Sequence, residues 1–471
     1  MIKRQDPGFF KHFLFVFGSQ LVVLASGLIK ALLIPVLVGL SDYGYWQIYA
    51  FYTVYIGAFS LGYGDGLYLK YGGQELSNLP LQLVRTANAF YVVMLAISGA
   101  LLAVFASEDS DPNRQYIFFA VAANVVVQGI TANISLTLQA TNQLKGYAFL
   151  NSADKIFFAL ALMAVFLERF QTFEYLILAD ICAKIIVMTI LLHRYRCLFI
   201  GTISGFRLGA KEFANSVGSG IHLLLANLTG MLVLGSGRII VEYLDTLDKY
   251  AHYAFAVSLA NVVLMSVTAL SIVLYPTLKR QQKDNFIVYF EKTVDAYVVF
   301  SLVMLSAYFP ALVFIDVVAA QYKPVIEFLN AIFVITVLQG KMQLVNNTYY
   351  KAMRLERPML VANVSSLLVA TLLSAVGFVL TKSMLAIAYS ALLTMLVRVY
   401  SSEIYLRRKM GQPFNGRFLA EILVLLLFLL VSESLSGALA AAVWLFIVLA
   451  VATAYRVRIL ALCRQLRRGT R

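Results

Sequence analysis

A few ionisable side chains in this sequence stand where hydrocarbon should surround them. Lys30 and Asp65 fall inside the first two long apolar stretches, and Lys341 lies among Gln339, Gln343, Asn346 and Asn347 in a later one. A charge at the centre of a membrane span costs about 2.5 to 3.5 kcal/mol on insertion scales, so such residues face a bundle interior or a water-filled path. An ammonium there binds phosphate as a point charge. Tyr45, Tyr49 and Tyr52 repeat on one helical face close to the level of Lys30, and aromatic faces stack on sugars. The chemistry on offer is capture of an anionic, sugar-bearing ligand within a membrane. The plainer reading is that Lys30 snorkels along its four-carbon stem and the tyrosines form part of an interfacial belt.

Helix geometry separates these charges. In an antiparallel hairpin Lys30 lies level with about residue 53, and Asp65 lies about 18 Å deeper at 1.5 Å per residue, so the two are not an ion pair. Lys30 therefore needs a carboxylate on another helix, backbone carbonyls, water or a ligand phosphate. Asp65 sits among Gly62, Gly64 and Gly66, which reads as a flexible helix end, or as a hinge or proton-binding carboxylate near the inner mouth. Lys341 is read as a cavity residue or as a buried interhelical hydrogen-bond donor. Asp180 and Lys184 are spaced i, i+4 and neutralise each other, as a structural pair or a coupling site. Asp154 and Lys155 diverge by about 100° around a helix, which allows different neighbours. Arg238 and Glu242, also i, i+4, read as a rim feature; Arg238, Gln339 and Gln343 are also candidates to line the substrate cavity, and Asp154 a candidate for coupling or gating.

No cofactor is expected. Cys182, Cys197 and Cys463 have no spacing that suits a metal or a disulfide framework. No Gly-x4-Gly-Lys-Ser/Thr loop occurs, so the driving force is expected to be an ion gradient of H+ or Na+, the membrane potential or substrate consumption on the far side.

The elements that must hold these residues are membrane helices. Of 471 residues 61% are hydrophobic and 13% charged, with a mean hydropathy of +0.81; a soluble domain would carry about 25% charge. The net charge of +14 is scattered among apolar runs, so nucleic acid is not an expected partner. Runs of about 20 apolar residues give fourteen spans, at 12–40, 43–70, 84–106, 115–141, 146–167, 171–193, 212–238, 250–276, 287–315, 325–350, 357–380, 383–406, 418–432 and 436–455. With the N-terminus in the cytoplasm, inner loops and tails take 27 of the 38 Lys and Arg, from Lys3, Arg4 and Lys11 to Arg471, while outer loops take six. Lys30, Lys155, Lys184, Lys341 and Arg398 are left within spans. This positive-inside bias places both termini inside. The first apolar run is too long for a signal peptide and reads as an uncleaved span. The acidic stretch from Glu108 to Asp111 reads as a solvated turn before Pro112.

A faint internal repeat sets the domain organisation. Gly18-Ser19-Gln20 in the first span is echoed by Gly218-Ser219-Gly220 in the seventh, and Gln128-Gly129 in the fourth by Gln339-Gly340 in the tenth. The expected architecture is all-α and polytopic, with two pseudo-symmetric six-helix lobes around a central cavity. The lobes are 1–193 and 212–410, joined by a cytoplasmic linker at 194–211. A terminal helix pair with a basic tail occupies 411–471.

The opening Gly-Ser-Gln, the corner Asp42-Tyr43-Gly44-Tyr45-Trp46 and the segment Leu61-Gly62-Tyr63-Gly64-Asp65-Gly66-Leu67-Tyr68-Leu69-Lys70-Tyr71-Gly72-Gly73 carry a resemblance. The chain resembles the polysaccharide transporter branch (Wzx-type, O-antigen flippases) of the multidrug/oligosaccharidyl-lipid/polysaccharide (MOP) superfamily. The motifs cover about the first 75 residues, and span number and repeat cover the whole chain. The resemblance implies movement of an undecaprenyl pyrophosphate-linked oligosaccharide from the inner to the outer leaflet of a bacterial plasma membrane, for cell-surface polysaccharide biosynthesis. It implies alternating access around a cationic cavity, with the lipid-linked oligosaccharide, membrane lipids, a polysaccharide polymerase and assembly proteins as partners. No single residue carries over from the family. An ion-coupled drug or cation exporter of the same superfamily is the first competing reading, with twelve spans and a carboxylate-rich cavity expected. A membrane polymerase or glycosyltransferase would need a sizeable outer loop. Here the first outer loop is Ser41 to Gly44 and the longest runs from Ser107 to Arg114, so an enzyme is not expected.

Overall fold

The computed structural model describes residues 7–169, 172–279, 286–412, 416–435 and 437–469, all of whose regular structure is helical. Lys3, Arg4, Arg280, Lys283 and Arg471, assigned above to the inner side, lie outside the described residues. Among the described residues, eleven helices are long and apolar enough to cross a membrane. The chain forms two compact units, Met1–Met231 and Leu232–Arg471.

The first unit holds α1 (Pro7–Leu32), α2 (Ile34–Leu37), α3 (Leu40–Val54), α4 (Tyr63–Tyr71), α5 (Leu81–Ser107), α6 (Pro112–Ala140), α7 (Leu144–Leu167), α8 (Phe173–Arg194) and the first part of α9 (Phe206–Leu244). Its core is α6, which packs on α3, α4, α5, α7 and α8 and is the most buried of the unit's spans.

The first hairpin departs from expectation at two points. Its corner is not Ser41 to Gly44 but Val38-Gly39, because α3 already begins at Leu40 from an extended Gly39. Asp42 then lies in the first turn of α3, and its Oδ1 accepts a hydrogen bond from the Phe173 backbone N–H at the start of α8 (3.0 Å), satisfying a donor that a helix start leaves without an intrahelical partner. The second span is also not one helix. It stops at Val54, passes through a 3-10 segment at Tyr55–Ser60 and restarts at Tyr63, after Leu61 (φ 48°) and Gly62 (φ 78°) in the left-handed region. Glycine adopts that conformation without penalty, and the Ser60 hydroxyl bridges the turn by donating to the Gly57 carbonyl (2.7 Å).

Close packing gives the interruption its use. A Cβ on Gly66 would overlap the Ser216 backbone, and one on Gly220 would overlap the Gly62 carbonyl. Backbones of α4 and α9 thus touch through small residues, the packing device of membrane helices. One turn beyond, Glu212 accepts hydrogen bonds from Lys70 Nζ (2.7 Å) and the Tyr71 hydroxyl (2.8 Å). The connection before α9 is pinned to α5, where Arg85 donates to the Cys197 and Thr202 carbonyls and Asn88 to Leu198.

The second unit holds the rest of α9, α10 (Leu247–Lys279), α11 (Phe286–Ser306), α12 (Tyr308–Val317), α13 (Ile326–Lys341), α14 (Asn347–Ala352), α15 (Glu356–Thr381), α16 (Met384–Lys409), α17 (Arg417–Ser434) and α18 (Gly437–Gly469). The expected spans at 418–432 and 436–455 fall in α17 and α18. Glu421 and Glu433 interrupt the apolar stretch of the first. The core of this unit is the span Ala320–Ala352, whose apolar window is 89% buried. It contains a π-helical segment at Met342–Asn346, directly after Lys341. The Gln-Gly echo has a packing basis in both units. Tyr91 of α5 donates to the Gly129 carbonyl (3.1 Å), and Tyr297 of α11 donates to the Val337 carbonyl (2.6 Å) where a Cβ on Gly340 would overlap its hydroxyl.

The α4–α9 crossing predicts that Gly66→Val lowers stability by about 2 to 3 kcal/mol through backbone overlap. Gly18→Ala, where a Cβ meets open space, is expected to be near neutral. Thermal unfolding of the detergent-solubilised protein measures both.

Candidate functional site

Each unit buries a cluster of charges. In the first, the centre is Asp180 on α8, whose side chain is 6% exposed. Lys30 Nζ of α1 lies 3.3 Å from Oδ1, and Lys184 Nζ, one helical turn along α8, contacts Oδ2. The Tyr49 hydroxyl of α3 donates to Oδ2 (2.7 Å) and accepts from Asn124 Nδ2 of α6 (2.8 Å). Gln128 donates in turn to Asn124 Oδ1 (3.2 Å). The carboxylate thereby joins α1, α3 and α8, and reaches α6 through Tyr49. The Lys30 ammonium also lies 4.0 Å from the Phe158 ring centroid and 5.7 Å from that of Trp46, a cation–π setting. Its side chain keeps 37% exposure.

Lys155 Nζ bonds Asp154 Oδ2 at 2.7 Å. The two side chains leave the helix in different directions, and the lysine stem is long enough to fold back. Lys30, Lys155 and Lys184 thus stand against Asp154 and Asp180, a surplus of one positive charge on this group.

The tyrosine ladder is divided among three environments. Tyr49 is 1% exposed and committed to Asp180. Tyr45 donates to Asp111 (3.2 Å) and lies against Phe173, and Tyr52 packs on Phe118. Asp111 also caps α6 by accepting from Asn113 N (2.9 Å), so the acidic turn before Pro112 is a helix cap. Asp65 lies in the first turn of α4.

In the second unit, Lys341 is 2% exposed. Its ammonium lies 2.7 Å from Glu403 Oε2 of α16 and contacts Glu421 of α17. Glu403 is shared with Arg407, one turn along α16 (2.8 Å), and Arg407 also contacts Glu291 of α11. The Tyr400 hydroxyl reaches Glu421 (3.3 Å), and its ring lies 4.7 Å from the Lys341 ammonium. Gln339 accepts from Arg398 (3.3 Å), whose guanidinium also donates to Asn363 Oδ1 (2.7 Å), and Gln343 donates to Thr268 (3.0 Å). Arg238 is not an exposed rim residue. It is 8% exposed and donates to the Ala254 carbonyl (3.2 Å) and the Ser258 hydroxyl (3.4 Å) of α10.

Sequence reasoning did not single out Glu403, Arg407, Glu421 or Glu291. The i, i+4 spacing of Glu403 and Arg407, and a glutamate at 421 inside an apolar run, were the available signals. The π-helical turn after Lys341 was not legible. Such turns interrupt regular helices and are frequent at functional sites. Among the described residues no group of three metal-ligating side chains occurs.

Removing the carboxylate that holds the first cluster leaves its ammoniums without a direct counter-charge. Asp180→Asn is expected to lower stability by about 3 to 5 kcal/mol, and Asp180→Asn combined with Lys184→Met to recover more than half of that loss. A double-mutant cycle of unfolding temperatures measures the coupling.

No protein-family model matches this sequence, and no curated protein matches it. Solved structures do match. A lipid II flippase, MurJ, in an inward closed conformation aligns with a TM-score of 0.68 at 12% identity, over 96% of this chain and 100% of that one. A multidrug resistance MATE family transporter of the MOP superfamily, in an inward-facing conformation, aligns with a TM-score of 0.61 at 10% identity, over 83% and 94%. The MATE multidrug transporter DinF-BH aligns with a TM-score of 0.56 at 12% identity, over 85% and 93%. At these identities the likeness is one of fold, and the chain is a multi-pass membrane protein with the helical fold of MOP-superfamily transporters.

Proposed function

We propose that this protein is a flippase that moves a polyprenyl pyrophosphate-linked oligosaccharide between membrane leaflets, in the manner of the Wzx-type branch, to supply cell-surface polysaccharide synthesis. The observation that carries this reading is the positive surplus around Asp180 together with the partial exposure of Lys30. A pyrophosphate is a dianion or more at neutral pH, and a site with one carboxylate between two ammoniums accepts such a group more readily than a cation. Lys30, Trp46 and Phe158 place an ammonium beside aromatic rings, which suits a phosphate next to a sugar. The fold likeness to a lipid II flippase over the whole chain supports a lipid-linked substrate, and the transporter neighbours favour translocation over enzymatic turnover. The positive-inside pattern supports a bacterial plasma membrane with both termini cytoplasmic. A polymerase and assembly proteins are the partners that would consume the product.

The fold likeness to multidrug transporters gives the alternative, a drug exporter, its support. Liposomes reconstituted with the protein and a fluorescent lipid-pyrophosphate oligosaccharide separate the two. Protein-dependent flipping is expected, and Lys30→Ala should slow it at least about tenfold, equivalent to one charge-assisted hydrogen bond of about 1.5 kcal/mol. Unchanged flipping in folded Lys30→Ala removes Lys30 from the site. Transport of cationic dyes in place of the lipid establishes the exporter.

A further inference from the structure

The Lys341 cluster has a composition that anion capture does not use. Among the described residues the ion pairs run Glu421, Lys341, Glu403, Arg407, Glu291, so carboxylates outnumber cations along the chain. Two carboxylates from different helices meet one ammonium, which brings like charges together away from bulk water. In that setting protonating one of the pair relieves the repulsion.

The surroundings distinguish the two acids. Glu403 is 3% exposed and takes two hydrogen bonds from Arg407, Nε at 3.0 Å and Nη2 at 2.8 Å, in addition to its Lys341 contact. Two cations, Lys341 and Arg407, thus face this one carboxylate. Glu421 has Lys341 and the Tyr400 hydroxyl. The remaining groups of the packed helices are engaged elsewhere. Tyr297 donates to Val337, Arg398 to Asn363 and Gln339, Gln343 to Thr268, and Glu291 meets Arg407. A cleft of about 10 Å³, room for roughly one water molecule, lies beside the cluster, lined by Tyr400, Glu403, Arg407, Arg408 and Gln412, and the last two are exposed at and just beyond the end of α16. Tyr400 lines this cleft, and its hydroxyl reaches Glu421 (3.3 Å).

We propose that Glu421, paired with Glu403 through Lys341, is a proton-binding site reached through the cleft at the end of α16. Binding forms one O–H bond on Glu421 with a proton from water in the cleft, and no other bond changes. The ligand is a proton and not a metal ion, because the Lys341 ammonium already occupies the point between the carboxylates where a cation would be coordinated. Protonation removes the charge that ties α17 to α13. Use of this proton to drive transport rests on the flippase reading; binding does not.

Infrared difference spectroscopy on the full-length protein in detergent, without substrate, tests binding directly. Lowering the pH between about 8 and 5 should raise a carboxylic acid carbonyl band. Glu421→Gln should lose this band and Asp65→Asn should retain it. Tyr400→Phe, which keeps the ring, should shift the band and its midpoint, and it reports on the site even where Glu421→Gln fails to fold. Sodium should leave the wild-type band unchanged. A band that persists in Glu421→Gln, a wild-type protein with no titrating band, a band unmoved by Tyr400→Phe, or a band abolished by sodium overturns the proposal. Because no substrate is present, these outcomes are independent of the flipping assay.

Discussion

A buried carboxylate that must satisfy more than one ammonium organises the first unit. Asp180 holds Lys30, Lys184 and Tyr49, and Tyr49 passes the connection to Asn124 on the central helix α6. Hydrocarbon supplies no alternative partner, so each of these groups is held in place by the cost of leaving it unpaired. The arrangement fixes α1, α3, α6 and α8 relative to one another at the level where Lys30 remains partly accessible. The same lysine that closes the network keeps 37% of its side chain exposed.

The second unit answers the same constraint with the opposite balance. Its buried ammonium lies between two glutamates, and a second cation, Arg407, links onward to a third. The two clusters carry opposite balances of charge, more cations than carboxylates in the first and more carboxylates than cations in the second. The π-helical turn that follows Lys341 lies in the span whose window is the most buried among those of the described residues.

Glycine has a separate role. The interruption of the second span at Leu61 and Gly62 and the backbone contact of Gly66 and Gly220 with their opposing helices replace side-chain packing by direct helix approach. In a membrane, where apolar surface gains little by leaving lipid, such close contact and polar pairing are the available sources of helix association. The Tyr91 and Tyr297 contacts at the two Gln-Gly pairs follow the same logic.

Hydropathy and charge distribution by themselves determined the all-helical, multi-pass character and nearly all helix positions, because the length of a span and the exclusion of charge from lipid are local properties of sequence. They also marked Lys30, Asp180, Lys184 and Lys341 as residues that needed partners. Tertiary structure decided who the partners are. Asp180 serves both Lys30 and Lys184, 150 residues separate the first pair, and Glu421 reaches Lys341 from a helix 80 residues away. The break in the second span, the corner at Val38-Gly39 and the π-helical turn were likewise settled by packing. A backbone leaves its regular helix where a neighbouring helix approaches, and periodicity along one chain segment carries no record of that neighbour.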